Sequence, residues 1–195
     1  MSLYKKNLSV LVIEPALQRP IYDKARPNGG LGPAYLVGAL RKHGIEVDYL
    51  DITVGTRGRN LNETFYRRKE MENGNIRYGM SSDEFPDIFS KYDIIATSSI
   101  FSAQTRMHFE IATIAKKVSK ENSKPILTVS GGVNARALRE HFLSNGFDIV
   151  ALGEGEITIV QIVEQFSTSK PDYTKVERIA FRKDEKTIIT SAPYR

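Results

Sequence analysis

Ile126-Leu127-Thr128-Val129-Ser130 runs into Gly131-Gly132, and Ile149-Val150-Ala151-Leu152 runs into Gly153-Glu154-Gly155-Glu156. Each is a short, mostly apolar run of the kind a strand buried on both faces requires, and each ends in glycine. A third run, Ile94-Ile95-Ala96-Thr97, ends in Ser98-Ser99. Glycine at a strand end lets the backbone approach a ligand closely. The helix that follows offers unpaired N–H groups and the positive end of its dipole. Open α/β sheets bind ligands at this carboxyl edge, so these three strand ends are the first candidates for a site.

Working outward, residues 8–13 (LSVLVI) form another near-continuous apolar run and read as the first strand. A loop over 14–31 carries Pro15, Pro20, Pro27, Gly29 and Gly30. A helix is expected over 33–43, with Pro33 in its first turn and Gly44 just past its end. Leu36, Leu40 and Tyr35 are expected on its core side. Residues 46–51 alternate and read as the second strand. The polar stretch 52–80, with Gly55, Gly58, Gly74 and Gly79, reads as loop with irregular helix near 61–71. Helices are expected over 82–89, 104–119, 135–144 and 156–166. Strand and helix therefore alternate five times, which predicts an α/β fold. Its core is a five-stranded parallel doubly wound sheet, flavodoxin-like or Rossmann-like, with a C-terminal β-hairpin over 179–190. The expected division is an α/β domain over 1–170, then the hairpin and the start of a linker over 171–195.

The chain has 195 residues, enough to bury a core without a disulfide or metal staple. It is 41% hydrophobic and 26% charged, which is the balance of a globular protein in water. No run approaches a membrane span, and no signal peptide opens the chain. Met1-Ser2-Leu3 resembles a cloning leader, and the end at Tyr194-Arg195 reads as cut at a linker. Cysteine is absent, which excludes thiolate nucleophiles and cysteine-held zinc or iron–sulfur clusters within these 195 residues. That composition fits a cytoplasmic setting. The net charge of +5 is concentrated in Arg57, Arg59, Arg67, Arg68, Lys69 and Arg77, with Tyr66 and Tyr78 among them. Those residues could contact RNA, but no RNA-binding motif accompanies them, so a solvated loop is the expectation and nucleic acid is not an expected partner.

Several ligands suit such a sheet, and the strand ends discriminate. A phosphoacceptor needs an aspartate at the end of the third strand, where Thr97-Ser98-Ser99 stands. A flavodoxin phosphate loop needs Ser and Thr after the first strand, where Glu14-Pro15-Ala16-Leu17-Gln18 stands. Gly153-Glu154-Gly155 meets half of a dinucleotide fingerprint, with Thr158 at the last glycine's place and two acids to repel a pyrophosphate. His43, His108 and His141 all fall on expected helices, as surface or boundary residues away from the strand ends. Glu156 is read as complementing a helix dipole, and Glu154 is left open.

Taken in order, these segments resemble a family: the N-terminal cobalamin-binding domain of cobalamin-dependent radical S-adenosylmethionine proteins. Residues 29–36 (GGLGPAYL), 40–47 (LRKHGIEV) with Asp51, and 92–99 (YDIIATSS) carry the resemblance. So do Val129-Ser130-Gly131-Gly132, Leu152-Gly153-Glu154-Gly155-Glu156 and the hairpin with Ile179-Ala180-Phe181-Arg182.

The resemblance implies cobalamin as the ligand, its corrin over the C-terminal edge of the sheet and its nucleotide tail descending between strands. Ser98, Ser99 and Ser102 would line the tail's path and donate hydrogen bonds. Gly131 and Gly132 would let the tail pass close to backbone. Gly153 and Gly155, with Glu154 between them, would do the same for the benzimidazole end or its phosphate. A bulky residue at Gly132 is expected to abolish binding and spare the fold. The Asp-x-His-x-x-Gly motif of cobalamin-dependent mutases and methionine synthase is absent, so base-off binding without histidine ligation is expected. The resemblance also implies a radical domain C-terminal to this chain, with S-adenosylmethionine and a four-iron four-sulfur cluster, in a methyltransferase or cyclase. This chain alone would bind cofactor and catalyse nothing. The 14–31 loop is expected to act as a lid, with Tyr22 and Tyr35 as apolar walls. Two other readings stay open: a free-standing sensor of a nucleotide or small ligand, and an RNA-modification accessory domain using residues 57–77.

Overall fold

The computed structural model describes residues 8–22, 26 and 29–191. The apolar runs become five parallel strands: β1 (Ser9–Glu14), β3 (Glu46–Asp51), β6 (Ile94–Ser98), β7 (Leu127–Gly131) and β8 (Ile149–Ala151). They lie in the order β3-β1-β6-β7-β8, so the strand order of the doubly wound fold is as expected. The hairpin, β9 (Ile179–Lys183) and β10 (Lys186–Ile189), adds antiparallel to β8 and extends the same sheet.

Side-chain alternation divides the core between the two faces of the sheet. Val10, Val12, Ile94, Ala96 and Val129 face one way. There they meet α1 (Leu31–Lys42) and α6 (Gly155–Phe166), which pack on each other. Leu11, Ile13 and Ile95 face the other way and meet α2 (Phe85–Phe89) and α3 (Thr105–Glu121). Helix α1 ends as its sequence dictates. Gly44 takes φ +71, its N–H donates to Arg41 at 3.0 Å, and Ile45 N–H donates to Leu40 at 3.1 Å.

Four expectations are corrected. First, the stretches read as loop contain a second sheet. β2 (Leu17–Pro20), β4 (Lys69–Glu70) and β5 (Asn75–Tyr78) form a three-stranded antiparallel sheet in the order β2-β5-β4. It has its own small core of Phe65, Ile76 and Tyr78, and residues 61–66 are turns rather than helix. Second, the helix expected over 135–144 is two: α4 (Val133–Ala137) and α5 (Arg139–Ser144). Leu138 breaks them at φ −107, ψ 29, and the turn sends Phe142 and Leu143 into a core with Phe147 and Val150. Third, Tyr35 is exposed, and Pro33, Val37 and Leu40 form the buried side of α1. Fourth, His108 is a core residue, fully buried against the Phe142 ring rather than at a boundary.

The basic cluster is only partly a solvated loop. Arg77 is buried and donates to Met80 O at 2.5 Å and Glu110 Oε2 at 3.0 Å, tying the small sheet to α3. Arg59 pairs with Glu63 and Glu84. Arg67, Arg68 and Lys69 are exposed. Among the described residues no helix is long and apolar enough to cross a membrane. Of the expected lid, residues 23–25 and 27–28 lie outside the described residues, as do Met1-Ser2-Leu3 and Tyr194-Arg195.

Candidate functional site

Register builds the site. Glu14 pairs with Asp51 across β1 and β3, and Ile13 pairs with Thr97, which sets Glu14 level with Ser98. Ser98 pairs with Gly131, and Ser130 with Val150, which sets Gly131 level with Ala151. The row Asp51, Glu14, Ser98, Gly131, Ala151 therefore crosses the carboxyl edge of the sheet. By alternation it lies on the α1/α6 face, one step past the core.

The N-termini of α1 and α6 close over this row, and glycine permits the approach. A Cβ at Gly32 would stand 3.0 Å from Ser98 Oγ, and one at Gly155 would stand 2.8 Å from Leu36 Cδ2 of α1. A Cβ at Gly153 would meet Arg178 Cδ at 2.6 Å. Between the helices and the sheet remains a cleft of about 150 Å³, floored by Ala96, Ser98, Gly131 and Ala151 and walled by Gly32 and Gly155. Neither Gly30 nor Glu154, the N-cap residues of α1 and α6, makes a side-chain capping bond. The first-turn N–H groups of both helices thus have no side-chain cap, and a polar or anionic group suits them.

The cleft is smaller than the roughly 300–1,000 Å³ of sites that enclose a whole small molecule, so it has room for only part of one. Apolar surface lies exposed around it. Leu31, Ile100, Phe101, Val133 and Ile157 are large apolar side chains, 48–77% exposed. Ile100, Phe101 and Val133 stand on the segments that follow β6 and β7 and give the rim there an apolar character, whereas Leu31 and Ile157, at the starts of α1 and α6, line the groove on the outer side of those helices. A larger open groove of about 710 Å³ runs along the outer side of α1 and α6, past Tyr35, Lys42 and Gln161. It touches no strand, so no strand-end group reaches it.

The structure brings Ser98, Gly131, Gly132, Gly153 and Gly155 together on this cleft. Ser99, Ser102 and Glu154 are not in its lining. Ser99 is fully buried and joins two strand ends: its N–H donates to Gly131 O at 2.7 Å, and its Oγ accepts from Asn134 Nδ2 at 2.8 Å. Ser102 opens an exposed 3-10 turn, and Glu154 is exposed at the start of α6. Gly132 adopts φ +90, and a Cβ there would stand 2.5 Å from the Ser99 carbonyl oxygen. Glycine at 132 is a requirement of the fold itself, so a bulky replacement strains the backbone and does not spare the fold as expected. Asn134 escaped the sequence reading. It is buried, and its side chain bonds Ser99 and Thr105 while its N–H bonds the Ser99 carbonyl. An asparagine two residues after a glycine pair, in the first turn of a helix, was the available signal.

Glu14 carries the main electrostatic feature. Burial, and then the Asp51 carboxylate beside it, push its pKa up to about 7. The Tyr49 phenol is likewise pushed up to about 12, first by burial. None of the three histidines is at the mouth. His43 bonds the Ala39 carbonyl at the far end of α1, His141 is exposed on α5, and His108 is buried beneath the opposite face.

A comparison with protein-family models matches residues 29–163 to the B12 binding domain. The cytidylyl-2-hydroxyethylphosphonate methyltransferase of Streptomyces wedmorensis is 29% identical over 183 residues, 91% of this chain and 32% of that protein. The chain thus spans about a third of that relative's length (32%). Two solved structures share the fold. The cobalamin-dependent S-adenosylmethionine radical enzyme OxsB, with aqua-cobalamin and S-adenosylmethionine bound, superposes with a TM-score of 0.71 at 16% identity, over 96% of this chain and 22% of that one. The radical S-adenosylmethionine methyltransferase TsrM from Kitasatospora setae, with cobalamin and an iron–sulfur cluster bound, gives 0.67 at 14% identity, over 97% of this chain and 30% of that one. The match spans every residue that lines the cleft, and the chain belongs to the B12 binding domain family.

Proposed function

We propose that this chain is a cobalamin-binding module serving a radical S-adenosylmethionine enzyme, a methyltransferase or cyclase, with the radical domain following it C-terminally. The glycine-walled cleft under an apolar rim carries the reading. It has the shape for a flat apolar macrocycle on the rim and a narrow tail in the cleft. The relatives' names, a methyltransferase and radical enzymes holding cobalamin, support the finer assignment.

Bound cobalamin supplies a cobalt–carbon bond and a redox-active cobalt. The chain's own residues bind and orient. Ser98 offers a hydroxyl to the tail where the strands end, and Gly131, Gly153 and Gly155 leave it room. The uncapped N–H groups of α1 and α6 face the cleft and suit the tail's phosphate. Ile100, Phe101 and Val133 exclude water beneath the macrocycle. With no histidine at the mouth, the cofactor binds base-off without a histidine from this chain. With no cysteine in the sequence, the cluster and the cleavage of S-adenosylmethionine belong to the partner domain.

An ultraviolet–visible titration of the chain with methylcobalamin tests this. The expected result is a saturable shift to the base-off spectrum, with no sign of nitrogen coordination from protein. No shift at protein shown to be folded overturns the reading and favours a sensor of another small ligand.

A further inference from the structure

Glu14 is a half-buried carboxyl group without a bonding partner among the described residues. It ends the central strand, and its side chain turns toward the N-terminus of α1. There it lies so close to Gly30 that a Cβ at that position would overlap its carboxylate. Its neighbour Asp51 is already satisfied: Thr53 donates to Asp51 Oδ1 from its N–H at 2.8 Å and from its hydroxyl at 2.6 Å. Among the described residues nothing donates to the Glu14 side chain, and it holds no ion pair. Yet it stands level with Ser98, a residue of the cleft floor, one strand away from it.

The surroundings decide what could bond it. From β3 it is faced by the Asp51 carboxylate and by the Tyr49 phenol, which stays neutral. From α1 it is faced by the positive end of the helix dipole, with no acid in the first turn. From β6 it is faced by the uncharged Ser98. Partly buried, and with the Asp51 side chain beside it, Glu14 keeps its proton up to about pH 7. A carboxylic acid presents one donor and one acceptor side by side. A primary carboxamide presents the matching pair, a carbonyl and an N–H. A metal ion is a poor match, because no three acidic or histidine side chains converge among the described residues and the helix dipole opposes a cation.

We infer that Glu14 is a positioning residue that pairs with a primary carboxamide of the ligand, its O–H donating to the amide carbonyl and its own carbonyl accepting an amide N–H. This rests on the cobalamin reading, since primary carboxamides ring the corrin.

The test is a titration of the full chain and of E14Q, E14A and E14L with methylcobalamin, between about pH 6 and 8.5, with thermal melts alongside. Closing a ligand over Glu14 removes its remaining water, which favours the neutral acid. Wild-type affinity is therefore highest below pH 7 and falls above it. E14Q keeps one donor and one acceptor, binds within about twofold of wild type below pH 7, and loses the pH dependence. E14A and E14L bind about tenfold or more weakly. Folded E14A or E14L binding as tightly as wild type overturns the inference, and so does a pH dependence that E14Q retains. If E14L fails to fold, E14A and the pH profile of E14Q decide. Wild-type protein that binds no methylcobalamin overturns the cobalamin reading itself, a result separate from equal binding by wild type and variants.

Discussion

Gly131 and Gly132 stand side by side, and one substitution at each separates binding from folding. Gly131 ends β7 with ordinary strand geometry, and a Cβ there would lie 3.3 Å from Ala151 Cβ. That neighbour must give by a few tenths of an ångström. Gly131→Val is thus a modest overpacking, costing about 1–3 kcal/mol, or roughly 2–10 °C in melting temperature for a domain of this size. Its isopropyl group enters a cleft of 150 Å³, the share of about five water molecules at ~30 Å³ each. A ligand end kept out of that space loses burial at about 0.8 kcal/mol per CH₂. Four carbon equivalents come to about 3 kcal/mol, a loss of affinity of more than about 100-fold. Gly132→Val behaves differently. At φ +90, with the Ser99 carbonyl 2.5 Å from its Cβ, it loses well over about 3 kcal/mol of stability before any ligand is added. Melting curves and methylcobalamin titrations of both variants check this. A folded Gly131→Val protein with wild-type affinity would refute the placement of the ligand in the cleft.

Two further outcomes follow from charged side chains that tie elements together. Arg77→Ala leaves the Met80 carbonyl and Glu110 without their donor and should cost about 3 kcal/mol, with faster amide exchange confined to β2, β4 and β5; unchanged exchange there would separate the small sheet from this anchor. Asp148 accepts from Lys116, from Thr128 N–H at 2.8 Å and from Thr128 Oγ at 2.9 Å, so Asp148→Ala should cost about 1–3 kcal/mol in urea unfolding, and a change within ±0.5 kcal/mol would count against that network.

The main sheet was legible because strands buried on both faces must be largely apolar, as residues 8–13, 94–97, 126–129 and 149–152 are, with Ser9, Thr97 and Thr128 their only polar members. Their order followed from the helices between them. The second sheet left no such trace. β4 has two residues, and β5 (NIRY) buries Arg77 among its apolar residues, so no period-2 alternation exists to read. Half of the site was legible in the same way. Glycines after strands were visible, but which ones serve the cleft and which serve the fold depends on φ and on the partner across the turn. Ser99 and Gly132 are held by each other's strand ends, a relation that sequence spacing does not carry. Glu14 read only as a failed phosphate loop. Its place in the row with Asp51 and Ser98 is a matter of register between strands distant in the chain.

Two groups on opposite faces of the sheet should cancel each other's pH dependence of stability. Burial lowers the His108 pKa from 6.5 to about 4, so between those values the unfolded chain binds a proton that the folded chain refuses. Its contribution is therefore lost as pH falls from about 6.5 toward 4. Glu14 is raised from 4.5 to about 7, so over that interval the folded chain holds a proton that the unfolded chain releases. Its contribution is present below pH 4.5 and lost as pH rises toward 7. Each slope is at most about 1.4 kcal/mol per pH unit, and closer to about 1 for the partly solvated Glu14. Their signs are opposite across the shared window from 4.5 to 6.5. In His108→Leu the Glu14 slope stands alone, and stability relative to wild type declines as pH rises through the window. In Glu14→Gln the His108 slope stands alone, and relative stability climbs. Other carboxylates titrate alike in all three proteins, so urea unfolding read as differences from wild type isolates the pair. Difference curves flat across the window would mean that His108 finds a proton or a partner in the folded protein, or that Glu14 is ionised there. The second result would also remove the donor that pairs Glu14 with a carboxamide.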